Sequence, residues 1–150
     1  MTGRGAGLVS FTVMLLATAR GGEPGPIHWR TDQMRAFAEA ARSGRPLLVD
    51  AWADWCAACK LLDRNTWSDR RVREEVAARF VPLRVDLSEE STSSEARMTS
   101  LGVSALPAVL LCPAARCDAA APRLVGYARP EEMLAFLRSS GRDVTAPHEE

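Results

Sequence analysis

The run PLLVDAWA, residues 46–53, constrains the fold more than any other stretch of the chain. It is a compact apolar segment bounded by turn residues, and that pattern reads as a strand buried on both faces. A strand of this kind lies in the middle of a sheet that carries helices on each side. The surrounding segments agree. Thr31 is placed to cap a helix running to about Ser43, with Met34, Phe37, Ala38 and Ala41 on one face, until Gly44 and Pro46 end it. From Cys56 the spacing turns helical to about Arg64, and Ser68 is expected to cap a further helix with Val72, Val76 and Phe80 on one side.

Residues 80–87 read as a second strand, and a short helix then passes through Met98 and Leu101 to Gly102. Residues 106–112 read as a third strand and 123–127 as its returning partner, while the triplet IHW, 27–29, is expected to add a short edge strand. Pro130 opens a last helix with Met133, Leu134, Phe136 and Leu137 as its apolar face, ended by Gly141. The order predicts an α/β fold: a central mixed β-sheet flanked by helices on both faces. With 47% hydrophobic and 25% charged residues in 150, the chain can fill such a core as one domain.

Several function classes drop out. Net charge is zero and the basic residues are scattered without interleaved aromatics, so nothing draws the chain to nucleic acid. No glycine-rich phosphate loop occurs, and the two histidines, His28 and His148, lie near the chain ends, which gives little support to a Cys–His hydrolase.

The first residues form a separate unit. Arg4 precedes an apolar run from Ala6 to Ala19, and Ala17-Thr18-Ala19 supplies the small residues a signal peptidase reads. Residues 1–19 are therefore expected to be a signal peptide and 20–27 a flexible leader, followed by a domain over 28–140 and a polar tail over 141–150. The expected location is periplasmic or otherwise extracytoplasmic after cleavage; the alternative is anchoring through the same apolar segment, although it is short for a membrane span.

Export permits disulfides, and four cysteines in a well-stocked core point to function or a single staple rather than a framework. Cys56 and Cys59 are spaced to close a bond across one helical turn, directly after the buried strand. At the helix start, free backbone N–H groups and the helix dipole favour an anion, so Cys56 is expected to be the attacking thiolate and Cys59 the resolving thiol. Asp50 stands inside the apolar strand, where burial raises a carboxyl pKa and fits it to exchange the Cys59 proton. Asp54 and Asp63 flank the motif as surface acids or as tuning groups. Pro107 opens a strand, and a cis Leu106–Pro107 bond lying against the motif would present backbone to an extended peptide. Cys112 and Cys117 are read first as a structural disulfide across a hairpin-like loop. The four cysteines as a zinc site remain an alternative, although nothing in their spacing makes the two pairs converge. No metal and no cofactor is expected.

Together these segments resemble the thioredoxin superfamily. LLVDAWADWCAACK is similar to its active-site segment, with Asp50, Trp52, Trp55, Cys56, Cys59 and Lys60 on family positions. GVSALP resembles its cis-proline loop, and LVGYARPEEMLAFL its last strand and helix. Within the superfamily, WADWCAACK and NTWSDRRV are similar to the C-terminal periplasmic domain of the DsbD family. The resemblance implies a thioredoxin fold and a protein-disulfide reductase that needs no cofactor. It implies Trp55, Leu106 and Pro107 at the substrate, Trp52 as a wall of the site, disulfide-containing proteins as substrates, and a membrane-embedded electron donor. A monomer is expected. Asp63 stands where that family commonly has glutamate, and Pro82 falls where many thioredoxins carry a lysine near the buried aspartate. The histidine of strongly oxidising relatives is missing between Cys56 and Cys59. A disulfide-donating oxidase or isomerase, and a redox-silent binding module, remain the alternatives.

Overall fold

The computed structural model describes residues 24–139 apart from residue 115. The expected signal peptide and C-terminal tail lie outside the described residues. The elements follow as α1 (Gln33–Ser43), β1 (Leu47–Trp52), α2 (Ala57–Asn65), α3 (Arg70–Arg79), β2 (Val81–Asp86), α4 (Thr92–Leu101), β3 (Ala108–Cys112), β4 (Arg123–Val125) and α5 (Pro130–Ser139). They build a sheet of order β2-β1-β3-β4. β1 runs parallel to β2 and antiparallel to β3, and β4 pairs antiparallel with β3. β1 is thus interior, as its unbroken apolar run requires.

Strand alternation divides the core between the two faces of the sheet. On one side, Ala36 and Ala40 of α1 and Leu101 of α4 pack on Val49, Leu83 and Leu110. On the other, Leu62 of α2, Val72 and Val76 of α3, and Met133 and Leu137 of α5 pack on Leu48, Val109 and Leu111. Among the described residues no helix is long and apolar enough to cross a membrane.

Four local expectations are corrected. The cap of α1 is Asp32 rather than Thr31, its carboxylate accepting from the Arg35 N–H; the cap of α3 is Asp69 rather than Ser68, accepting from the N–H groups of Arg71 and Val72. In both cases neighbouring residues can cap, and aspartate adds its charge at the positive end of the helix. The inward face of α1 is rotated from the expected one: Met34 is 79% exposed, while Ala36, Ala40 and part of Phe37 meet the sheet. Small alanines let this helix approach closely, and the longer methionine is left outside. The segment before α1 contributes a single parallel bridge, Arg30 to Leu83, instead of a strand over 27–29.

Gly102 ends α4 in the left-handed conformation at φ 63°, and a Cβ there would lie 2.8 Å from the Cβ of Ala119. Glycine is required both by the conformation and by this approach of the 113–122 loop. Arg123 fastens the loop by donating to the carbonyls of Leu101, Ala119 and Ala121.

Candidate active site

β1 ends at Trp52, and after three intervening residues the chain enters α2 with Cys56 as its N-cap. The Sγ of Cys56 is bonded to that of Cys59, with Cα atoms 5.2 Å apart, and accepts the Cys59 backbone N–H at 3.1 Å. The helix start therefore points one of its unpaired donors at the sulfur nearer the surface. Exposure separates the two: Cys56 is 6% exposed and Cys59, inside the first turn, 1%. Ala53 joins them in a small apolar cluster, on which Trp52, Ala58 and Leu106 pack.

The Leu106–Pro107 peptide bond is cis. Pro107 is buried, and its carbonyl accepts the Gly126 N–H at 2.8 Å, which ties the turn to the end of β4. Pro107 thus fixes where Leu106 stands, and it is the Leu106 side chain that meets the cysteine cluster. On the other flank Trp55 is 62% exposed, and its indole N–H donates to the Ser88 carbonyl at 3.1 Å. The Ser88 hydroxyl accepts from the Asp54 N–H at 2.9 Å, so one β2–α4 loop residue holds both positions before the disulfide. Nothing in the sequence singles out Ser88. Asp54 borders a recess beside Trp52 that is also lined by Asp86 and Ser88.

A charged cluster joins β1 to β2 beside the Trp52 ring. Asp50 is fully buried, and Arg84 stands opposite it in the β1–β2 register. Arg84 donates twice to Asp50 Oδ2, from Nε at 2.9 Å and Nη2 at 2.6 Å, and to Asp63 at 2.5 Å. Its guanidinium carbon lies 4.8 Å from the Trp29 ring and 5.4 Å from the Trp52 ring, so aromatic faces flank the cation. Burial pushes the Asp50 carboxyl up to about 6, against the charge and hydrogen bonds of Arg84, which hold it down. The other oxygen, Oδ1, is buried without a hydrogen bond.

Of the residues singled out in the sequence, the structure brings Trp52 and Leu106 onto the Cys56–Cys59 cluster and joins Asp50 to Asp63 through Arg84. Arg84 itself was missed: Pro82 lies opposite Leu48, one pleat earlier, and the cation near the aspartate comes from the next inward-facing position of β2. A charged residue inside the apolar run VPLRVD is the same signal that marked Asp50.

Cys112 and Cys117 form a second disulfide, with Cα atoms 4.9 Å apart. Cys112 ends β3 opposite Leu47, the first residue of β1, whereas Cys56 follows its last. The two pairs therefore occupy opposite poles of the sheet, and their sulfurs do not converge on one metal. Closing so short a loop restricts the unfolded chain by about 2 kcal/mol. Among the described residues no cluster of three or more His, Cys, Asp or Glu could hold a metal ion.

The sequence pattern of the thioredoxin-like family matches residues 28–114. The chain is similar to the thiol:disulfide interchange protein DsbD of Ralstonia nicotianae, 35% identical over 103 residues, covering 69% of this chain and 17% of that protein. It is 32% identical to the same-named protein of Yersinia enterocolitica, covering 70% of this chain and 18% of the relative. The chain thus spans less than a fifth of the length of these relatives. Among solved structures, the reduced C-terminal domain of Neisseria meningitidis DsbD superposes with a TM-score of 0.59 at 17% identity, covering 71% of this chain and 90% of that one. A thioredoxin from Thermus thermophilus gives a TM-score of 0.66 at 21% identity, covering 83% and 100%. These likenesses establish the shared fold.

Proposed function

The chain belongs to the thioredoxin-like family, and from that premise we propose that it is an exported thiol–disulfide oxidoreductase acting as a reductase on protein disulfides. The observation that carries the reading is Cys56 at the N-cap of α2, bonded to Cys59 and receiving its backbone N–H. The relatives named as thiol:disulfide interchange proteins support this chemistry, and a periplasmic site of action fits the signal-like N-terminal sequence.

In the reduced protein the helix start favours the Cys56 thiolate, which attacks one sulfur of a substrate disulfide; the substrate's other sulfur leaves as a thiolate and takes up a proton. Cys59 then loses its proton and attacks Cys56, which releases the second substrate thiol and leaves the Cys56–Cys59 disulfide. Asp50 is the proton acceptor for Cys59. Its pKa near 6 gives a carboxylate at neutral pH, and Oδ1 is the oxygen not occupied by Arg84. Trp55 and Leu106 flank the attacked bond and receive the substrate chain. Two electrons from a separate donor, membrane-embedded as in the DsbD resemblance, regenerate the dithiol.

Replacing the resolving thiol tests this assignment. Cys59→Ser should accumulate a mixed disulfide between Cys56 and a protein from the native compartment, visible as a reductant-sensitive adduct. Adducts that persist when Cys56 is also replaced, or none at all, would contradict it.

A further inference from the structure

At the pole opposite the Cys56–Cys59 disulfide, the segment before α1, Arg45 just ahead of β1, α3 and the start of β2 line a recess of about 270 Å³. Five steps of β1 place it roughly 17 Å from the catalytic end of the sheet. Arg30, Arg45 and Arg73 reach its wall beside the apolar side chains of Ile27, Val76 and Phe80. Arg30 is satisfied by Glu39, through bonds of 2.6 and 3.0 Å. The other two cations have no such partner. Arg45 spends one nitrogen, Nη2, on the carbonyls of Ala77 at 2.8 Å and of Phe80, closing the end of α3, and its Nε is buried without a hydrogen bond. The Nε of Arg73 is likewise buried and unbonded. Arg73 also borders a neighbouring recess containing Asp63, yet forms no ion pair with it.

Two guanidinium groups without a carboxylate partner line one partly apolar recess, where positive charge is left uncompensated. The apolar walls lower the local dielectric and strengthen attraction for an anion. Guanidinium forks match tetrahedral and planar oxyanions through paired N–H···O bonds. We propose that this recess is a binding site for a phosphate group, held by Arg45 and Arg73. The phosphate has two natural sources, a small phosphate compound or a phospholipid headgroup. Binding there leaves the disulfide at the opposite pole facing away from the ligand.

The test follows thermal unfolding of the full chain in inorganic phosphate against sodium chloride of equal ionic strength. At phosphate ten times its dissociation constant the midpoint should rise by about 5 °C. The rise should saturate, and it should be lost in Arg73→Gln while insulin-disulfide reduction stays unchanged. A wild-type midpoint that does not respond, or an equal rise in Arg73→Gln, overturns the proposal. Sedimentation with phosphatidylglycerol vesicles, with phosphatidylcholine vesicles as control, identifies the source. Extra retention on the anionic vesicles that Arg73→Gln removes assigns the headgroup; a phosphate-dependent shift without it assigns a free phosphate compound.

Discussion

Cys56→Ser should lower insulin-disulfide reduction by at least ~10³-fold, the scale on which losing a nucleophile acts. A serine hydroxyl retains the N-cap geometry, because its oxygen can accept the Cys59 N–H as the sulfur does now. It is not ionised near neutral pH and cannot form a mixed disulfide, so structure is kept while chemistry is removed. The thermal midpoint of the variant should stay close to that of the reduced wild type, which separates lost catalysis from lost folding. Residual activity within tenfold of wild type would move the attacking sulfur elsewhere in the chain.

Arg84→Met should be the most destabilising single change at the site, costing about 2–4 kcal/mol at pH 8. Removing one partner of a buried ion pair leaves the other charge without compensation, and the partial exposure of Arg84 reduces the usual 3–5 kcal/mol. The effect depends on pH in a defined direction. Asp50 titrates near 6 in the folded protein against an ordinary 3.8, so its burial costs stability as pH rises between those values and the cost is complete above them. Arg84 offsets part of this. Without it the Asp50 carboxyl moves higher still, and the loss grows with pH; below about pH 4 Asp50 is neutral in both states and most of the difference disappears. Adding Asp50→Asn to Arg84→Met should restore most of the stability at pH 8. Chemical denaturation of the two single variants and the double variant at pH 4 and pH 8 measures both the coupling and its sign. A pH-independent loss, or no rescue by Asp50→Asn, would show that the pair is not the source.

The difference between Asp50 and Arg84 also marks where the sequence stopped being informative. Each is a charged residue in an apolar strand, so each advertises a buried partner. Which two strand positions face each other is a matter of register between segments more than thirty residues apart, and a local pattern does not carry it. Alignment by resemblance put Pro82 near the aspartate, one pleat away from the residue that fills the place. The same limit explains Ser88, which positions Asp54 and Trp55 only because the loop after β2 folds back beside the motif. Features set by nearest neighbours were legible: the apolar β1, the helix opening at Cys56, and Gly102 closing α4. The caps at Asp32 and Asp69 were misplaced by one residue because adjacent residues are both able to cap. The inward face of α1 was misread because two alanines outrank a methionine when the helix lies close to the sheet.

Whether Cys56 and Cys59 act as a reducing couple is read from the reduction potential of the purified protein. Equilibration against glutathione, with the thiol state of Cys56 and Cys59 read by alkylation and mass, gives the value without any client protein. The expected result is a reversible two-electron couple on the thioredoxin side of the class, below about −200 mV. A potential near −120 mV, where the strong oxidant of this class lies, would contradict the reductase reading. So would the absence of any reversible couple between these two residues.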